Sequence, residues 1–159
     1  MNRLRLIMAV MTGKLVITLS RWLGNQGSNF PGRLALRFYP AILQRLAGNV
    51  EQGIFIITGT NGKTTTSNML AEILRESGHT VIHNRAGANM ITGIITAFIA
   101  YTNITGTKKY DYAVLETDEA NVPLVVNEVH PRLILITNFF RDQLDRYGEL
   151  DHTINMIKE

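Results

Sequence analysis

The stretch Ile54-Phe55-Ile56-Ile57-Thr58, running straight into Gly59-Thr60-Asn61-Gly62-Lys63-Thr64-Thr65-Thr66, constrains this chain more than any other. A short apolar run of β-branched and aromatic residues reads as a buried strand. Two glycines and a lysine follow at once, and Thr65, Asn68, Met69, Ile73 and Leu74 then carry a helical period. Strand, tight turn and helix start is the arrangement that holds nucleotide phosphates. Backbone N–H groups of the turn and the helix N-terminus face the anion, and a lysine at position 63 adds a full positive charge. Thr64, next after the lysine, is where such loops place a hydroxyl on Mg²⁺. The pattern is the short form G-x-x-G-K-T, because Ile57 stands where the longer form has its first glycine. The plainer alternative is a glycine-rich strand–helix connection that binds nothing.

Around this stretch the chain reads as one globular domain of ordinary hydrophobic and charged content. It has no cysteine, so disulfides and thiolate metal sites are excluded within it, and a reducing compartment fits. The net charge of +3 is unevenly spread. Arg3, Arg5, Lys14, Arg21, Arg33, Arg37 and Arg45 precede the first acidic residue, Glu51, and all 13 Asp and Glu lie from there onward. Met1 to Ser20 mimics a signal peptide, but Lys14 interrupts its apolar run and no small-residue cleavage site follows. It is too short and interrupted for a transmembrane span. An amphipathic helix is expected instead, with Leu4, Leu6, Ile7, Val10, Met11, Leu15 and Leu19 as its stripe. That stripe suits docking onto the protein's own core, or lying on a membrane surface. The basic segment lacks the aromatic interleaving of a nucleic-acid platform, so no nucleic-acid partner is expected.

Residues 25–32 read as a loop, followed by a helix over about 34–47 with a break at Pro40. Two units are expected: a basic helical segment, 1–47, and an α/β domain, 48–159. In the second, strand and helix patterns alternate. Strands are expected at 54–58, 80–83, 112–115 and 133–137; helices at 63–77, 89–101, from Pro123 through Val129, and from near Leu150. Gly78 is placed to end the first of these helices. Such order predicts a parallel sheet with helices on both faces.

Ligands of open parallel sheets bind beyond the C-terminal strand ends. Three strands here end in polar residues: the Gly59–Thr64 loop, Glu116-Thr117-Asp118-Glu119, and Thr137-Asn138. A carboxylate at a strand end beside a phosphate loop suits Mg²⁺, a hard cation that takes oxygen ligands. Glu116, first off its apolar run, is the best candidate, with Asp118 and Glu119 one step further out. Asn89 precedes the buried helix and reads either as its N-cap or as an amide aimed at an anion. His79, His130 and His152 have no metal-type spacing and read as structural.

Together these residues resemble the Mur ligase superfamily, whose nucleotide loop has the form G-T-N-G-K-T/S-T, here Gly59 to Thr65. The superfamily follows it with a Gly-Asn loop (Gly87-Ala88-Asn89), a strand-terminal Glu (Glu116) and a T-N-x-x-x-D-H-L-D-x-H-G-like segment (Thr137 to Gly148). Gly27 to Gly32, His83-Asn84 with Gly87 to Met90, and Thr137 to Gln143 point within it to the branch that amidates lipid II. The resemblance implies a fold, the P-loop-type sheet of the family's central domain. It also implies an activity: ATP phosphorylates the α-carboxyl of D-glutamate in the lipid II stem peptide. Ammonia from a GatD-like glutaminase subunit then displaces the phosphate. Lys63, Asn89 and Glu116 are cast as catalytic, Gly59, Thr60, Asn61, Gly62, Lys63, Thr64 and Thr65 as ATP-binding, and Thr64 and Glu116 as Mg²⁺ ligands. The setting implied is the cytoplasm, at the inner face of the membrane. Gln143 stands where most of the superfamily has a metal-binding His. That branch also carries a four-cysteine zinc module and a glutaminase-contacting domain, so zinc and those contacts are expected beyond Glu159, and the chain reads as a fragment. The alternatives are a Mur-type ligase or folylpolyglutamate synthase that adds an amino acid, and a non-catalytic nucleotide-binding protein.

Overall fold

The computed structural model describes residues 2–22, 29–84 and 87–138. Three helices come first, α1 (Asn2–Trp22), α2 (Phe30–Phe38) and α3 (Ile42–Ala47). Strands and helices then alternate as β1 (Val50–Thr58), α4 (Lys63–Glu76), β2 (Val81–His83), α5 (Ile91–Tyr101), β3 (Tyr110–Glu116), α6 (Val122–Val129) and β4 (Leu133–Ile136). The sheet order is β2-β3-β1-β4, and every neighbouring pair is parallel. The predicted α/β fold with a parallel sheet is therefore the observed one.

Side chains alternate across each strand, and the two faces are covered differently. Ile54, Ile56, Ile82, Ala113 and Leu115 join Leu6, Val10, Ala35, Ile42, Leu43, Leu46, Ile94, Ile95, Phe98 and Val125 in one core. On the opposite face Ile57, Val81 and Val114 meet Ala71 of α4. Among the described residues α4 covers one side, while the other helices cover the second. The N-terminal helices share a core with the sheet.

Several boundaries differ from expectation, each for a local reason. α2 begins at Phe30, inside the expected loop, because Pro31 occupies its first turn, where the missing N–H costs nothing. Gly32 lets α2 touch α5: an added Cβ would lie 1.9 Å from the Thr92 carbonyl oxygen. Its N–H donates to Thr96 Oγ1 at 2.9 Å. The expected helix over 34–47 is two helices, parted at Tyr39–Ala41 around Pro40. β1 starts at Val50, before the expected Ile54, with a register irregularity against β3 between Val50 and Gly53. α4 ends as Gly78 predicts, with φ +85 there. The Gly78 N–H donates to Arg75 O and the His79 N–H to Leu74 O, closing the last turn. Asn89 is not the cap of α5; Met90 holds that position. Among the described residues no helix is long and apolar enough to cross a membrane. The expected helix near Leu150, Gln143, His152 and the segment from Phe139 to Gly148 lie outside the described residues.

Candidate nucleotide site

The β1–α4 connection is a sharp turn built on two left-handed glycines, Gly59 at φ +121 and Gly62 at φ +83. Gly59 is also sterically confined, since an added Cβ would lie 2.4 Å from Thr137 Oγ1 and 2.7 Å from Asn138 O. The end of β4 grips this loop. The Thr60 N–H donates to Asn138 O at 2.9 Å and the Asn61 N–H to Asn138 Oδ1 at 3.0 Å. Asn138 Nδ2 and Thr137 Oγ1 both donate to Asn61 O, at 3.0 and 2.7 Å. Past the loop, α4 starts at Lys63 with Gly62 as N-cap and no side-chain cap. The first N–H groups of a helix have no partner within it, so this uncapped end can receive an anion. Thr64 and Thr65, in that first turn, are exposed.

Lys63 folds back over the turn. Its Nζ donates to Gly59 O, and to Thr60 O at 3.3 Å, and lies 3.6 Å from Glu119 Oε1. Burial pushes the Glu119 carboxyl above its ordinary range; Asp118 acts in the same direction and the Lys63 charge against it.

Glu116 ends β3 and pairs in register with Ile57. Ile57 faces α4, so Glu116 lies on the sheet face that α4 covers. It is buried and forms no ion pair or side-chain hydrogen bond among the described residues. Asn84, 2% exposed, holds its backbone at two points. The Glu116 N–H donates to Asn84 Oδ1 at 2.9 Å, and Asn84 Nδ2 donates to Glu116 O at 2.7 Å. The same Nδ2 donates to Ala88 O at 2.8 Å, tying in the Gly87–Asn89 loop. A second lacing joins that loop to the turn after β3: the Asp118 N–H donates to Asn89 O at 2.9 Å, and the Ile91 N–H to Asn121 Oδ1 at 3.3 Å. His83, also buried, links three elements, donating from Nδ1 to Val114 O at 2.8 Å with Nε2 3.0 Å from Asn68 Oδ1 on α4.

The described site candidates, Gly59 to Thr65, Asn89, Glu116, Asp118 and Glu119, therefore stand at one edge of the sheet, the C-terminal one. Lys63 and Glu119 meet directly; Asn89 reaches the acidic turn through its backbone. Asn84, and Asn138 as a loop clamp, were not singled out for these roles. The one signal for them was their place at strand ends. His79 and His130 lie elsewhere: His79 packs edge-on against Tyr112, and His130 ends α6 at φ +46.

Mg²⁺ takes oxygen donors and is usually held by one or two protein groups together with phosphates. An unpaired buried carboxylate at Glu116 and an exposed hydroxyl at Thr64 fit that donor set. Among the described residues no three His, Cys, Asp or Glu gather around a metal position.

The family model described as the Mur ligase middle domain matches residues 57–159. The chain belongs to the Mur ligase family. Among its relatives is the MurT subunit of the glutamine-hydrolysing lipid II isoglutaminyl synthase of Staphylococcus aureus. It is 44% identical over 151 residues, which are 95% of this chain and 33% of that one. The MurT subunit of Streptococcus pneumoniae is 49% identical over 133 residues, 83% of this chain and 29% of that one. The chain thus spans about a third of the length of these relatives. A crystal structure of MurF from Acinetobacter baumannii superposes with a TM-score of 0.59 at 27% identity, covering 73% of this chain and 24% of MurF. This Mur ligase chain accordingly has the fold of its family's middle domain.

Proposed function

We propose that this chain supplies the Mg²⁺–ATP-binding part of an ATP-dependent ligase that amidates lipid II, a step in peptidoglycan biosynthesis. The observation that carries this reading is Lys63, held over a glycine-built loop at a sheet edge that also presents Glu116, in a chain similar to MurT over 95% of its length. The nucleotide phosphates lie on the loop and the first turn of α4, with Lys63 on the β- and γ-phosphates. Their arrival draws the ammonium away from the Gly59 and Thr60 carbonyls. Thr64 and Glu116 would hold Mg²⁺, which when bound would supply positive charge to offset that on the transferring phosphoryl group. Phosphoryl transfer needs positioning and charge neutralisation more than covalent help, which the loop N–H groups, Lys63 and the bound cation would supply. The acceptor is the α-carboxyl of D-glutamate in the stem peptide. Transfer of the γ-phosphoryl group of ATP to this carboxylate would break the bond to the β-phosphate oxygen, release ADP and give an acyl phosphate, with Asn89 assigned a place near it. Ammonia from a GatD-like glutaminase attacks the acyl carbon, phosphate leaves, and the ammonium nitrogen loses its proton to give the amide. The domain boundary at residue 48 belongs to this reading, with residues 48–159 as the nucleotide-binding unit.

Two measurements test it. Calorimetric titration with ATP and Mg²⁺ should show binding that Lys63→Ala abolishes while the circular dichroism spectrum stays unchanged; retained affinity in that variant would refute the phosphate site. Incubation with lipid II, Mg²⁺–ATP, glutamine and a GatD-type glutaminase, read by mass spectrometry, should show a carboxyl-to-amide exchange. Addition of an amino acid instead would assign a different ligase activity to the same site.

A further inference from the structure

We propose that the outward face of α1 is a docking surface for an anionic lipid bilayer. Leu4, Met8, Met11, Leu15, Leu19 and Trp22 are all exposed, Leu4 at 67%, Leu15 at 61% and Trp22 at 85%. They are spaced three or four residues apart. At 100° per residue they fall within an arc of about 80°, in a stripe about 27 Å long. This stripe is not the face that folds the protein. Leu6, Ala9 and Val10, on the other side of the helix, are buried in the core, with Ile17 packed against them and Gly13 against Ile99 of α5. α1 is thus apolar on two opposite faces, one of them filled by its own protein.

Charge identifies what fills the other. Arg3 and Arg21 flank the stripe on one side and Arg5 on the other, all exposed. α2, packed on α1, adds exposed Arg33 and Arg37 together with exposed Phe30 and Phe38. No acidic residue precedes Glu51. A second copy would bring these arginines together with no carboxylate between them, which opposes a helix pair. An anionic lipid surface satisfies both features at once. It takes apolar side chains at the acyl boundary and guanidinium groups at the phosphates, with Trp22 at the interface. With its inner face docked and no spanning helix among the described residues, α1 lies in the surface plane. Such contact is independent of the nucleotide site.

Co-sedimentation with vesicles of phosphatidylcholine, alone or with phosphatidylglycerol, tests this. Three flanking arginines predict binding to the anionic vesicles on the order of a hundredfold tighter than to neutral ones, lost at high salt. Leu15→Glu, in the middle of the exposed stripe, should weaken that binding by at least about tenfold. Its melting temperature should stay unchanged. Replacing Arg3, Arg5 and Arg21 together with Gln should remove the preference for anionic vesicles. Equal binding to both vesicle types, undiminished binding by either variant, or a dimer that Leu15→Glu dissociates while the wild type ignores vesicles, would each overturn the proposal.

Discussion

Asn84→Ala should weaken the fold more than any other single truncation at this sheet edge. The side chain makes three hydrogen bonds, to Glu116 O at 2.7 Å, to Ala88 O at 2.8 Å and from the Glu116 N–H at 2.9 Å. Asn84 and Glu116 are 2% and 5% exposed, so water does not readily replace the lost amide. One orphaned N–H and two under-satisfied carbonyls together predict a loss of about 3 kcal/mol. With a urea slope of about 1.5 kcal/mol per molar for a domain of this size, the unfolding midpoint falls by about 2 M. Circular dichroism is the right probe, because the single tryptophan, Trp22, is already 85% exposed and its fluorescence changes little on unfolding. Asn84→Asp sharpens the test. A carboxylate keeps the acceptor for the Glu116 N–H but sets an oxygen against two carbonyls. Protonation supplies an O–H donor to one of them, so this variant should recover stability as the pH falls, unlike the alanine variant. A midpoint within about 0.3 M of wild type for Asn84→Ala would refute the reasoning, since it would mean that the three bonds contribute nothing net.

Gly59→Ala should cost well over about 1 kcal/mol, because its φ is positive and the new methyl would press on Thr137 and Asn138. Gly78→Ala has a positive φ but nothing within 4 Å, so only the left-handed penalty of about 1 kcal/mol is expected; paired thermal melts decide between the two cases. The Glu119 carboxyl is raised by burial, so the folded state holds its proton more tightly than the unfolded chain. Stability should therefore fall as pH rises from the ordinary Glu range through the raised value, and Glu119→Gln should flatten that part of the profile in pH-dependent denaturation. Glu116→Gln should weaken Mg²⁺–ATP binding while sparing metal-free nucleotide binding, as titrations with and without chelator would read.

The alternation of strands and helices was legible because each apolar run carries its own period, and most are bounded by glycine or proline. What sequence could not divide was α1. Its expected stripe mixed Leu6 and Val10, which are buried, with Leu4, Met11, Leu15 and Leu19, which are exposed. Both sets recur at helical spacing, and only the neighbouring α2 and α5 decide which side turns inward. Of the two readings of Asn89, the cap fails for a similar reason: N-cap chemistry suits it, but the helix starts beyond Met90, where the Ile91 N–H finds Asn121 from another loop. At the candidate site the loop glycines, Lys63 and Glu116 were readable from local pattern. The Lys63–Glu119 approach and the role of Asn84 were not, because they depend on strand order, which places β3 between β2 and β1.

The clamp of Asn138 on the β1–α4 loop bears on how the protein is made. Asn61 and Asn138 are 77 positions apart, so the loop leaves the ribosome long before the residue that shapes it. At 5–20 residues per second the gap is about 4–15 s. During that interval the nascent chain carries the glycines and the lysine without the strand end that fixes their backbone. The loop therefore gains its hydrogen bonds to Asn138 only once the fourth strand has been added, and on the function proposed above any nucleotide capture would follow that step.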